Sequence, residues 1–369
     1  MTTRYEYGDS RNDPRAPRRP GTGSRPAPAT PPGVSAATLD RDYADAYRAW
    51  LALGENAPRS ARERLLQVSD WESEYRDLSL TSAAGGYTVP PQLLDRITAG
   101  LLRASAMARS CNVVPMASAE PLSWPAVDDT AVVGERLTEA ATIGASVDVT
   151  FGARALGGYM YSSKLIKASF QLVRDATRAF EPWLAAALGA RIGRIVNAEL
   201  TNGTGGGTQP AGLIPNVTVG KQGAAGSTVT IKYDDLIDLI HSVDPEYREL
   251  PPDSGLLGFQ MSDTALKMVR KAQEASGKEI ITEGIPLLVL GYPTRVNNSI
   301  PVPAASAKTI VFGNFHAGFL ARSVPADTIL LRLEERYGDT LTVGFIAFQR
   351  WDAVIDDPRA LRAWQQSAT

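Results

Sequence analysis

The sequence predicts an α+β fold in which one long helix lies across a β-sheet. Apolar residues between 184 and 200 recur on a single helical face, as in a helix that packs on one side only. Three segments near the C-terminus, 309–312, 328–333 and 341–348, have the composition of strands, and the last one alternates along its length. With 369 residues, of which 44% are hydrophobic, the chain is long enough for two domains and a sizeable core.

The N-terminal residues 1–34 are predicted to form a disordered basic arm. They contain seven prolines and six arginines and almost no large aliphatic side chains. Such a segment cannot bury enough apolar surface to offset the entropy that is lost on ordering.

Residues 35–82 are predicted to form a helical pre-segment. Apolar side chains recur at helical spacing from Leu39 to Leu53 and again from Ser60 to Leu78. We interpret the two amphipathic helices as a small unit tethered ahead of the main fold. The alternative is that they pack directly on the main body. The small residues that follow, 81–86, are typical of a hinge.

The predicted elements after residue 90 are short, apart from one helix. They are a helix at 91–103, strands at 113–116, 122–127 and 150–166, helices at 233–242 and 263–274, and a strand at 287–290. The long helix is predicted to begin at Glu181, with Pro182 in its first position. On this helix Ala185, Gly189 and Gly193 form a row of small residues, which predicts close packing of two backbones.

Few residues could carry catalysis, and we assign no catalytic, cofactor-binding or metal-binding residue. Cys111 is the only cysteine, and its apolar surroundings predict an inert, packed thiol. The only histidines, His241 and His316, are predicted to be core or surface residues without a catalytic role. The carboxylate pairs at 334–335 and 356–357 are predicted to be solvated.

The glycines at 203–207 are predicted to form a helix exit that uses positive φ angles, because the strand and the lysine of a phosphate-binding loop are missing. The net charge of −2 provides no field that would attract nucleic acid or an anionic membrane. No run approaches the roughly 18 apolar residues that a membrane span needs, so we expect no membrane partner.

A series of short motifs follows a fixed order along the chain. They are GGYTVP at 85–90, VVPM at 113–116, GE at 134–135, NGTGGGTQPAGL at 202–213, GYP at 291–293 with NSIP at 298–301, FGNF at 312–315, and DP at 357–358. In this order they resemble the major capsid proteins of tailed bacteriophages, which have the Hong Kong 97-like fold. The resemblance covers about three quarters of the chain, and its specificity comes from the order of the motifs.

The resemblance implies a division into domains. A peripheral domain, with the long spine helix on a sheet, would comprise 83–127, 161–213 and 304–369, and an axial domain would comprise 214–303. The small and acidic residues within 128–160 would form an extended loop, a hairpin that reaches a neighbouring subunit; a solvated loop without a partner is the alternative. Residues 35–82 would take the place of a scaffolding segment.

The resemblance also implies a structural role without enzyme activity. Copies of the chain would assemble as hexamers and pentamers into the icosahedral shell of a phage head around DNA, in the host cytoplasm. Portal, scaffold or maturation protease would be partners, with non-specific contact to DNA. The alternatives are an encapsulin-type compartment that stores an enzyme cargo, and an α/β enzyme of unknown type.

One feature departs from the family pattern. Some members cross-link their subunits through a lysine on the extended loop, but residues 128–149 contain no lysine, only Arg136. We therefore predict a non-covalent shell.

Overall fold

The computed structural model describes residues 36–65, 91–116, 120–127, 151–227, 229–248, 257–277, 280–284 and 286–368. The arm at 1–34, the motifs at 85–90 and 134–135, and most of the predicted loop lie outside these residues. The chain divides after Asp42 into two units, and only helical residues 36–42 of the first are described. The architecture below is that of Tyr43–Thr369.

Helices and strands are mixed along the chain, as predicted for an α+β protein. The helices are α1 (Ala36–Leu53), α2 (59–65), α3 (Pro91–Ala104), α4 (Ala106–Ser110), α5 (Phe170–Asp175), α6 (Thr177–Asn202), α7 (Leu213–Asn216), α8 (Tyr233–His241), α9 (Pro245–Arg248), α10 (Asp263–Ser276) and α11 (Phe315–Gly318). Short 3₁₀ turns cover Gly54–Asn56 and Glu335–Thr340.

The strands are β1 (Asn112–Pro115), β2 (Leu122–Val127), β3 (Phe151–Leu156), β4 (Tyr159–Ser162), β5 (Ile166–Ser169), β6 (Val219–Gln222), β7 (Leu257–Met261), β8 (Ile281–Thr282), β9 (Leu288–Val289), β10 (Tyr292–Val296), β11 (Lys308–Asn314), β12 (Phe319–Leu333), β13 (Thr342–Ile355) and β14 (Leu361–Gln365). The predicted single strand at 150–166 is wrong, since it is three strands. Regular strand structure is interrupted around Gly157 and around Lys164, and Lys164 has a φ of 56°.

The first sheet has the order β1-β12-β13-β4, and β5 also pairs with β13. Its centre is the long antiparallel pair β12–β13, whose register joins Phe319 to Ile355 and Leu333 to Gly344. The prediction that helix α6 buries one apolar face is confirmed by its fully buried residues Leu188, Ile192, Val196 and Leu200. Ile195, which was included in the predicted stripe, is instead 39% exposed.

Helix α6 begins at Thr177, four residues before the predicted start at Glu181. A proline in the second turn removes only one hydrogen bond of the i→i−4 ladder, so the helix can extend on its N-terminal side. Helix α3 packs closely on α6. A Cβ added at Gly189 would lie 2.2 Å from the Ile97 carbonyl oxygen, and one at Gly193 would lie 2.5 Å from that of Leu101. The predicted close approach of backbones is therefore confirmed.

The second sheet has the order β6-β14-β11-β7-β10-β9-β8. Helices α8 and α10 pack on it around Leu236, Val269, Phe259, Phe312 and Trp364. Strand β11 was predicted to belong to the sheet under the long helix, and β14 was not predicted. In the structure the two strands pair with each other, and β11 also pairs with β7. Local strand character does not specify a partner, because the partner is chosen by side chains far along the chain.

The N-terminal helices are part of the main body from Tyr43 onward. Tyr47, Trp50, Leu51 and Leu65 are buried in the same apolar cluster as α3, α6 and the first sheet. Of the two alternatives for this segment, direct packing on the body describes residues 43–65. The remainder of the predicted second helix, 66–78, lies outside the described residues.

The glycines after α6 serve two purposes. Gly203 caps the helix at a φ of −56°, so the predicted positive φ is wrong there. Its missing side chain is needed because a Cβ would lie 2.4 Å from the Pro210 carbonyl oxygen. Gly205, Gly206 and Gly207 do adopt positive φ angles, between 75° and 87°.

Candidate assembly elements

A two-stranded hairpin leaves the first sheet between β1 and β4. Strands β2 and β3 are antiparallel, with Leu122 opposite Leu156 and Val127 opposite Phe151. The hairpin therefore includes residues 122–127, ahead of the predicted boundary at 128, and it ends before β4, which pairs with β13. Residues 128–150 between the two strands lie outside the described part of the chain.

The hairpin is anchored to the first sheet by a buried pair of charged residues. Arg322 on β12 and Asp352 on β13 are direct cross-strand partners. The Arg322 guanidinium donates from Nη1 to the carbonyl oxygens of Leu156 and Gly157, both at 2.8 Å. The Gly157 N–H donates to Asp352 Oδ2 at 2.5 Å. The last residue of β3 and the residue that follows it are thus held by both ends of one charge pair.

The ionisation of Asp352 reflects this environment. Burial raises the pKa of Asp352 above its ordinary value, against the lowering influence of the Ala353 and Gly157 N–H donors and of Arg322. Both charged side chains lie in residues with at most 5% of their surface exposed. A buried charge that loses a nearby charge of opposite sign is costly, so removal of Arg322 alone should destabilise the fold.

The DP motif forms a joint between the two sheets. The turn at 356–360 carries the chain from β13 to β14. Asp356 Oδ1 accepts from Trp124 Nε1 on the hairpin at 3.2 Å. Asp357 Oδ2 accepts from the Tyr247 hydroxyl on α9 and from Arg359 Nη2.

Both aspartates are part-buried, so the prediction that this pair is solvated is wrong. Burial raises the pKa of Asp357, but the Tyr247 hydroxyl and Arg359 outweigh it, and the net effect is a lowered pKa. For Asp356 burial dominates, and its pKa is raised. At the other predicted pair, Glu334 contacts the buried guanidinium of Arg332.

A buried polar network connects α6 to the loop that carries the NSIP motif. Asn197 donates from Nδ2 to Asn297 Oδ1 and to Ser299 Oγ, each at 2.8 Å. Asn297 donates in turn to Thr201 Oγ1 at 3.1 Å and to Gln260 Oε1 at 3.2 Å. The network therefore joins the helix of the first sheet to strand β7 of the second. Of these residues only Ser299 belonged to a motif in the sequence, because partners 100 positions apart carry no local signal.

The structure describes the cysteine and both histidines that were considered for chemistry. Cys111 is buried, as predicted for a packed thiol, and burial raises the pKa of that thiol to about 12, which disfavours the thiolate form. His241 is exposed, and its Nδ1 lies 2.9 Å from Arg248 Nη1. His316 is exposed in α11. Within the described residues no group of three or more His, Cys, Asp or Glu side chains is placed to hold a metal.

Among the helices that the structure describes, none has the length and apolar content to cross a bilayer.

The sequence itself matches a known family over most of its length. The profile of the phage capsid family covers residues 85–365, about three quarters of the chain. The chain belongs to the phage capsid family. It is a subunit of the shell-forming kind, with the Hong Kong 97-like fold that its motif order indicated.

Solved structures share the fold of this capsid protein. The capsid of a native GTA particle is 22% identical with a TM-score of 0.57, covering 82% of this chain and 98% of that one. A chain of Mycobacterium phage Cain is 17% identical with a TM-score of 0.50, covering 72% of this chain and 91% of that one. An encapsulin complex from Synechococcus elongatus is 12% identical with a TM-score of 0.51, covering 72% and 89%. No curated protein matches the sequence.

Proposed function

We propose that copies of this capsid protein assemble as hexamers and pentamers into the icosahedral shell of a tailed-phage head around packaged DNA. Membership of the phage capsid family over residues 85–365 is the observation that carries the proposal. The anchored hairpin supports it, because an arm that leaves the body at a rigid base is suited to contact a neighbour. Contacts of modest strength, repeated around each subunit, produce avidity in a closed shell.

The domain assignment belongs to the same proposal. Residues 83–127, 161–213 and most of 304–369 would form the peripheral domain and 214–303 the axial domain. Strands β11 and β14 lie within 304–369 but pair in the second sheet, so they would belong to the axial domain. The hairpin would lie on the neighbouring subunit. The role would be architectural, without catalysis.

The partners follow from the same role. We expect assembly in the bacterial host cytoplasm, together with a portal and with a scaffold or maturation protease. The basic arm at 1–34 carries six arginines against Glu6, Asp9 and Asp13, so it is suited to contact DNA phosphates or an acidic scaffold. Residues 35–82 would guide assembly from the shell interior.

The test is production of the full chain, alone and together with the neighbouring phage gene products, followed by electron microscopy of purified particles. Closed icosahedral shells are expected. A chain that stays monomeric under every condition would contradict the proposal. Nuclease-protected DNA inside the particles would distinguish a phage head from the encapsulin-type alternative, in which the content is protein.

A further inference from the structure

The helical segment that precedes the family-matched region is fastened to the body by a buried arginine. Helix α1 ends at Leu53, so its last carbonyl groups have no partner within the helix. Arg332 on β12 donates from Nε to the Leu51 oxygen at 2.9 Å and from Nη2 to the Ala52 oxygen at 3.3 Å. Its side chain is only 2% exposed. A cation at this end of a helix also complements the helix dipole.

The chain at Gly54 is shaped around this contact. Gly54 follows the helix with a φ of 58°, a conformation that favours glycine. A Cβ at this position would lie 2.1 Å from Arg332 Nη1 and 2.5 Å from Glu334 Oε1. Glu334 also contacts the guanidinium. The segment therefore delivers two backbone acceptors to Arg332 and leaves no space for a side chain at the junction.

A second charged contact holds the same helix about one turn earlier. Arg48 donates from Nε to Glu181 Oε2 at 2.5 Å, and Arg48 Nη1 pairs with Asp45. Glu181 is buried, with 7% of its side chain exposed, and its other cation, Arg96, is 3.8 Å away. If the segment dissociated, Glu181 would keep only its 3.8 Å contact with Arg96. Arg332 would keep only Glu334 as a charged contact.

Apolar side chains of the segment are buried between Tyr43 and Leu65. Tyr43, Tyr47, Trp50, Leu51, Ala52, Ala57 and Leu65 all belong to the cluster formed with α3, α6 and the first sheet. Burial of several large side chains drives association in proportion to the apolar area removed from water. The charged contacts then set the position of the helix along that surface.

From these contacts we propose that residues 43–65 are a ligand of the body surface formed by α3, α6 and β12, and that they stay bound when the chain is cut between 66 and 90. The basic arm at 1–34 would then remain attached to the subunit through α1 after such a cut. The binding is a property of the unassembled subunit, so it does not depend on the proposed shell.

The test uses the full chain with a recognition sequence for a site-specific protease in place of residues 76–82. After the cut, native mass spectrometry and size-exclusion chromatography should show both fragments in one complex. Mixing with isotopically labelled cut protein then measures how fast the N-terminal fragment exchanges.

Arg332→Met and Arg48→Met should each speed the exchange by about tenfold or more, since each removes hydrogen bonds of a charged group. The control is Arg336→Met. Arg336 is exposed on the 3₁₀ turn that follows β12, so its replacement should leave the exchange rate unchanged.

Two results would overturn the inference. The first is separation of the fragments on the first column, with a body that keeps its folded far-ultraviolet circular dichroism spectrum. The second is exchange at the same rate in Arg48→Met as in Arg336→Met. Arg48 is 31% exposed and lies on the segment itself, so its variant provides the answer even if Arg332→Met does not fold. A bound fragment in a subunit that forms no shells would contradict only the assembly function.

Discussion

Single residues in this capsid protein show how burial changes the role of a carboxylate. Asp357 lies in a turn that the sequence alone suggests is solvated. In the structure it accepts from Tyr247 and from Arg359, both by its side chain at 2.9 Å and by its backbone N–H at 2.8 Å. These donors favour the charged form, which is why the pKa of Asp357 is lowered despite burial.

The first prediction concerns the pH dependence of this contact. A lowered pKa means that the carboxylate stabilises the folded state above the ordinary aspartate pKa of about 4, and that this contribution is lost as the pH falls through the folded-state value. Tyr247→Phe should therefore lower the free energy of unfolding by about 1.5–3 kcal/mol at pH 7, and by less at pH 3. Chemical denaturation at both pH values measures the difference.

The matched control is Tyr292→Phe. The Tyr292 ring packs on Phe312 with centroids 5.0 Å apart, so the substitution keeps the aromatic contact and should show no comparable change between the two pH values. An equal loss of stability for Tyr247→Phe at pH 7 and pH 3 would mean that the charge of Asp357 does not matter.

At the scale of elements, the contact between α3 and α6 depends on glycine. The distances from an added Cβ to the nearest backbone oxygen increase in the order Gly189, Gly193 and Gly100, at 2.2, 2.5 and 3.0 Å. In a helix interior, alanine is more favourable than glycine by about 1 kcal/mol, so a steric cost has to exceed this gain before the protein is destabilised.

The second prediction is a graded effect of alanine at these three positions. Gly189→Ala and Gly193→Ala should lower the free energy of unfolding by about 1–3 kcal/mol because the two helices must separate. Gly100→Ala should be near neutral and is the internal control. Thermal or chemical unfolding measures the series, and a loss at Gly100 as large as that at Gly189 would exclude the steric explanation.

The third prediction concerns the base of the hairpin. Arg322→Met removes the donor to Leu156 and Gly157 and leaves Asp352 buried without its cation, which should cost about 3–5 kcal/mol. Hydrogen exchange at the Gly157 amide should become faster, and the yield of shells should fall.

Arg350→Met is the control for this site. Arg350 pairs with Asp327 at 3.0 Å but is 35% exposed, so its loss should cost no more than about 1 kcal/mol. The double variant Arg322→Met with Asp352→Asn should recover part of the loss, because it removes the unpaired charge. Unchanged exchange at Gly157 in Arg322→Met would show that the hairpin does not depend on this anchor.

At the scale of the whole molecule, one prediction concerns residues 128–149, which belong to the proposed extended loop. This segment contains Arg136 but no lysine, and a guanidinium cannot supply the amine for an isopeptide bond. The fourth prediction is therefore a non-covalent shell. Particles boiled in detergent should yield single subunits on a denaturing gel. Ladders of subunit multiples, confirmed by mass spectrometry, would contradict it.

Much of the element order could be read from local patterns. The helix at 91–104, the buried face of α6 and the backbone contact at Gly189 all follow from periodicity within one helix. Strand partners could not be read in this way. Ile310 pairs with Met261 on one side and with Trp364 on the other, and no pattern within β11 selects either.

The sequence by itself determined the α+β class, the capsid family through the order of its motifs, and the absence of a lysine from the predicted loop. These are properties of composition, of spacing and of side chains that recur within a few turns or strand residues. Only the tertiary structure decided that residues 43–65 belong to the body, that β11 and β14 join the second sheet, and that Arg322 and Asp352 hold the hairpin. Each of these depends on groups 30 to 281 positions apart, which meet only when burial of the whole core brings them together.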